Sequence, residues 1–214
     1  MRSNEQELEI PLGDLVLPGT LMIPGNAKGI IVFAHASGRH NSGSRYLASA
    51  LENAGFATLL FDLLTDAEDR DAANRFDIDL LTKRLIAATE WLQSENAGGG
   101  MATGYLAAGT GSAAALKAAS PLGYLVAAVV SVGGRPDLAF PMLSSVVSPT
   151  MLIAGRLDPK GIEFNERALA EMRAERAIRI VEDAGSLFED EGTLEEVARL
   201  ALSWFTKYIV TKVD

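Results

Sequence analysis

Residues 101–116, MATGYLAAGTGSAAAL, read as a strand that turns within a few small residues into an alanine-rich helix. A short apolar run closed by glycine fits a strand buried on both faces of a parallel sheet. A strand that bends this sharply into a helix needs small side chains on both sides of the bend, and Ala107-Ala108-Gly109-Thr110-Gly111 supply them. Where such a bend carries a nucleophile it follows the pattern GxSxG, which lifts the serine hydroxyl above the sheet. Here the small residues are present and the central position is glycine.

Working outward, strand and helix patterns alternate. Residues 29–34 (GIIVFA) read as a buried strand, followed by a polar loop over 35–44 and a helix over 44–53 closed by Gly55. Residues 57–62 (ATLLFD) are the next strand, 63–75 a charged loop or short cap, and 77–95 a long helix ending before Gly98-Gly99-Gly100. Beyond the bend, 110–119 reads as helix, 125–132 and 150–154 as strands, 161–173 as helix, 177–181 as strand and 193–208 as helix. Short strands over 8–11, 14–17 and 20–24 open the chain, with a turn expected at Pro18-Gly19. The pattern predicts one domain over 1–214, a three-layer, doubly wound and mostly parallel α/β sheet with an antiparallel hairpin at its N-terminal edge.

Composition narrows the chemistry. Nineteen Lys and Arg against 28 Asp and Glu leave a formal charge of −9, and no basic block exists to engage a nucleic-acid backbone. The absence of cysteine removes thiolate nucleophiles, disulfides and cysteine-ligated metals. The histidines are His35 and His40, in one glycine-rich loop and without the acidic partner of a HExxH zinc site. Neither a Walker phosphate loop nor a GxGxxG dinucleotide fingerprint is present. The expectation is therefore no cofactor and no metal, no nucleic acid or membrane as partner, and a small-molecule ligand in a cleft. The polar start and the lack of a bilayer-length apolar run point to a cytoplasmic location; monomer and homodimer are both open.

In its order of pieces the chain resembles the α/β-hydrolase superfamily, in particular its small dienelactone-hydrolase-like branch. GIIVFAHASG (29–38) is similar to that family's strand running into the oxyanion loop, and AGFATLLFDLLT (54–65) to its next strand and loop. The elbow over 104–111, VVSVGGRPDL (129–138), MLIAGRLDP (151–159) and the closing 181–205 stretch follow in the family's order. The resemblance implies an α/β-hydrolase fold and ester or lactone hydrolysis by a Ser-His-Asp triad. It places the nucleophile at Gly109, the acid at Asp158 and the base at Ser186, so the nucleophile and base positions carry other residues while the acid is retained. It also implies oxyanion donors at the backbone N–H groups of Ala36 and Thr110, an Arg39-His40 pair at the cleft mouth, and an apolar wall at Val132, where the family has arginine.

Three readings follow. The first is a hydrolase-fold protein that binds an oxygen-bearing ligand without turning it over. The second is a hydrolase using a displaced Ser37 and His40 pair. In the third, a redesigned scaffold, Asp158 acts as a general base in non-hydrolytic chemistry. His35 is expected to brace its loop through a ring hydrogen bond, and Ser112 to cap α-helix or face the sheet. Glu182 and Asp183 are expected at the same rim as Asp158, where three carboxylates would suit a cation.

Overall fold

The computed structural model describes residues 4–36, 41–94 and 100–209. Strands β1 (Asn4–Leu12) and β2 (Leu15–Ile23) form an antiparallel hairpin. Six strands follow: β3 (Ile30–His35), β4 (Ala57–Asp62), β5 (Thr103–Ala108), β6 (Val126–Val132), β7 (Thr150–Gly155) and β8 (Arg176–Val181). The sheet runs in the order β1-β2-β4-β3-β5-β6-β7-β8, with β2 antiparallel to β4 and every pair from β4 to β8 parallel. The order reverses at β3, whose two neighbours are β4 and β5. Crevices at the carboxyl ends of strands next to such a reversal are where open α/β sheets hold ligands.

The described residues form six α-helices: α1 (Ser42–Asn53), α2 (Asp66–Asp69), α3 (Ile78–Ser94), α4 (Gly111–Leu122), α5 (Pro159–Glu171) and α6 (Thr193–Tyr208). Alternation along β3 shows the two-sided burial directly. Ile30, Val32 and Ala34 join the core built with α3 and α4, whereas Ile31 and Phe33 join the core built with α1 and α6. Helix α4 presents small residues to the sheet, with Ala113, Ala114, Ala115, Ala118 and Ala119 all buried, so its axis lies close against the strands.

The turn expected at Pro18-Gly19 is instead the middle of β2, and the chain reverses at Gly13-Asp14. Pro18 faces Glu9 in β1, and the pairing of β2 with β4 begins only at Gly19. The proline therefore takes no ladder bond away from β4, which is the condition for tolerating it inside a strand. The charged 63–75 segment contains the short helix α2, started by a capping box between Thr65 and Glu68, and a helical turn over Asn74–Phe76. Arg84 in α3 grips this segment. Its guanidinium donates to both Glu68 oxygens at 2.7 Å and to the Leu63 carbonyl at 2.7 Å. The Arg84 hydrogen bonds hold the Glu68 carboxyl down to about 2, well below the usual carboxylate range.

Candidate active site

At the carboxyl ends of β3, β5 and β6 lies a cavity of about 510 Å³. Its floor is the bend between β5 and α4. Gly109 sits there with φ of +54°, a left-handed conformation that costs an L-residue about 1–2 kcal/mol. A Cβ built on Gly109 meets nothing within 4 Å, so any side chain at 109 would project into open space. Two residues on, the helix starts so close to β3 that a Cβ on Gly111 would overlap the carbonyl oxygen of Ala34. The open position and the closed one together define the elbow: position 109 faces the cavity, and position 111 lets α4 approach the sheet.

Ala36 and Thr110 both line this cavity. Among the described residues, neither backbone N–H is matched to an acceptor, whereas the Ala36 carbonyl accepts from Leu64 and the Thr110 carbonyl from Ala113. Unmatched N–H groups beside a helix start are the donors from which an oxyanion hole is built. Ser112 is buried in the first turn of α4, where its hydroxyl accepts from Ser131 at 2.9 Å, turned to β6 and not to the bend.

Ser186 lines the same cavity with Leu187 and Phe188, and its carbonyl packs so closely on Gly133 that a Cβ there would overlap it. Gly109, Ala36, Thr110, His35, Val132 and Ser186, which come from four separate stretches of chain, thus meet at one cavity. Val132 is buried and apolar as expected. Ser37, Arg39 and His40 lie outside the described residues.

Asp158, Glu182 and Asp183 do not join that lining. Asp158 is the N-cap of α5, and its Oδ1 accepts from the Gly161 N–H at 3.0 Å. The expected rim of three carboxylates is therefore corrected. One caps a helix, Glu182 is gripped by Arg156 at 2.7 Å, and among the described residues no group of acidic or histidine side chains is placed to hold a metal ion. The reason is local. An orphan N–H at a helix start or an adjacent guanidinium satisfies a carboxylate more cheaply than a shared cavity would.

His35 is 8% exposed, and among the described residues its buried Nδ1 has no hydrogen-bond partner. Burial pushes its pKa from 6.5 down to about 4, keeping the ring neutral near pH 7. As pH falls below about 6.5 the unfolded chain takes up a proton that the folded chain refuses until about 4. Stability should therefore drop across that window by roughly 3 kcal/mol in total. Denaturation midpoints measured at pH 7 and pH 4 are expected to converge when His35→Gln is compared with the parent. An unchanged difference would show that this ring is not what titrates.

The remaining walls hold residues that no sequence signal singled out. Asn41, Gly43 and Ser44 come from the start of α1, Leu194 from the start of α6, and Arg75 and Phe76 from the turn that follows α2. Only Phe76, an aromatic residue in a charged stretch and 61% exposed, left a trace that composition could have caught.

No protein-family model matches the chain. A crystal structure of a dienelactone hydrolase from Anabaena variabilis is similar at 42% identity and TM-score 0.93, over 97% of this chain and 99% of that one. A dienelactone hydrolase-like promiscuous phosphotriesterase from metagenomic libraries shares the fold at TM-score 0.77 and 19% identity, covering 96% of this chain and 98% of that one. A Mycobacterium tuberculosis protein named "putative phosphoribosyl transferase" is 47% identical over 207 residues, 96% of this chain and 47% of that protein. The chain thus spans about half the length of the curated relatives it matches. Among the described residues, no helix is long and apolar enough to cross a membrane.

Proposed function

Because the chain belongs to the dienelactone hydrolase family, we propose that it binds a small, oxygen-bearing ligand on a hydrolase scaffold and does not turn it over through an acyl-enzyme. The observation that carries this reading is Gly109. The bend has the left-handed backbone and open Cβ direction that suit a nucleophile, and the residue there has no side chain to attack with. Ser186, in the facing wall, cannot accept a proton near neutral pH, and Asp158 is engaged by α5. What persists is the pair of N–H donors at Ala36 and Thr110, which can hold a carbonyl or anionic oxygen in a largely apolar cavity. The transferase name belongs to the longer relatives. For this unit, the full-length likeness to a dienelactone hydrolase favours hydrolase-type architecture.

Incubation with a fluorophosphonate probe is expected to leave the chain unlabelled, and p-nitrophenyl acetate to be hydrolysed no faster than in buffer. Stoichiometric labelling of a serine, abolished when that serine is replaced, would sink the reading.

A further inference from the structure

The electrostatics of the cavity specify its ligand further, on the binding reading above. Two helices of 12 residues, α1 and α4, start at this wall, and neither has an acidic residue in its first turn. The start of α6 also reaches the wall, but Glu195 and Glu196 in its first turn offset its field. Among the described lining residues there is no carboxylate, and Arg75 is already paired with Asp69. His35, in the same wall, is neutral near pH 7 and has a buried Nδ1 without a partner. A cavity with the positive ends of two helices, two unmatched N–H donors and no carboxylate among its described lining residues favours an anionic oxygen over a neutral one, because charge-assisted hydrogen bonds are the stronger kind.

We propose that this chain's cavity is a receptor for an apolar monocarboxylate, the free acid and not its ester. One carboxylate oxygen takes the N–H groups of Ala36 and Thr110. The other occupies the space that Gly109 leaves open, where a nucleophile's hydroxyl would otherwise stand. The absence of a side chain at 109 thus changes the donors' role. A pair suited to an oxygen that becomes charged only during reaction can hold one that is charged from the outset. The body of the acid lies against Leu106, Val132, Phe188 and Leu187, with Phe76 at the mouth. A phosphate monoester fits less well, since its three terminal oxygens ask for more donors than these two N–H groups supply.

The test is calorimetric titration of the intact chain at pH 7.5 with sodium 4-phenylbutanoate, its methyl ester and phenyl phosphate. The carboxylate is expected to bind about tenfold more tightly than the ester, and more tightly than the phosphate. Leu187 lines the cavity and is 72% exposed, so a charge added there faces the ligand without being buried. Leu187→Glu should weaken the carboxylate about threefold more than Leu187→Gln does, while the two variants should weaken the ester alike. An ester that binds as tightly as the acid overturns the proposal and leaves the binding reading standing. Preference for the phosphate also overturns it. No binding by any of the three overturns both, and rapid hydrolysis of the ester overturns the binding reading itself.

Discussion

A chain carrying Gly109→Ser together with Ser186→His is expected to hydrolyse p-nitrophenyl acetate roughly 10²- to 10³-fold faster than the parent. The bend already holds residue 109 at φ of +54° with open space ahead of its Cβ, so a hydroxyl placed there enters the cavity without displacing a neighbour. Ala36 and Thr110 line the same cavity, and among the described residues neither backbone N–H has an acceptor. Removing a whole triad costs on the order of 10⁶-fold, and nucleophile and base act as a unit, so either replacement alone should gain almost nothing. The expected gain falls short of that full factor because one Asp158 oxygen is taken by the Gly161 N–H, leaving the other alone to orient an imidazole at 186. Adding Asp158→Asn to the double variant should therefore remove at least about tenfold of the recovered rate, since an unsupported imidazole loses its tautomer and orientation. A double variant no faster than the parent would mean that residues 109 and 186 do not face each other productively, and the site would have to be redrawn.

That experiment depends on what the sequence reveals and what it hides. Boundaries set by burial were legible. β4 (Ala57–Asp62) and α6 (Thr193–Tyr208) end where the apolar periodicity ends, because the same buried faces that stabilise the elements also write the pattern. The convergence of 36, 109, 110, 132 and 186 could be anticipated because strand ends in a parallel sheet share one edge. Pro18-Gly19 misled because a proline's tolerance in a strand depends on which neighbour pairs at that residue, and the start of the β2–β4 register at Gly19 is a tertiary fact. Asp158, Glu182 and Asp183 misled for a related reason. A residue type says that a carboxylate is present, but its direction is decided by competition between a helix start, a guanidinium and the cavity. The apolar mouth at Phe76 depends on Arg84 reaching back to Glu68, a link between residues 16 apart on two different helices.

The elbow makes a second prediction of large effect, and it rests on two glycines separated by one residue. Gly111→Ala is expected to destabilise the protein by about 3 kcal/mol or more, or to leave it insoluble. The added methyl overlaps the Ala34 carbonyl oxygen and would stand 2.8 Å from its carbon and 3.3 Å from the His35 Cα, all of them backbone atoms of a central strand. A flexible side chain could swing away, but here either α4 must move off the sheet or β3 must give up its register with β5. Gly109→Ala should cost only about 1 kcal/mol, the penalty of a left-handed L-residue, because its methyl meets open space. Urea denaturation of the two variants separates them on one axis. The ordering matters more than either value, because only a tight strand-to-helix elbow makes the second glycine indispensable while leaving the first nearly free to change. Equal costs, or the reverse order, would mean that α4 does not start against β3, and the cavity floor built on that contact would be lost with it.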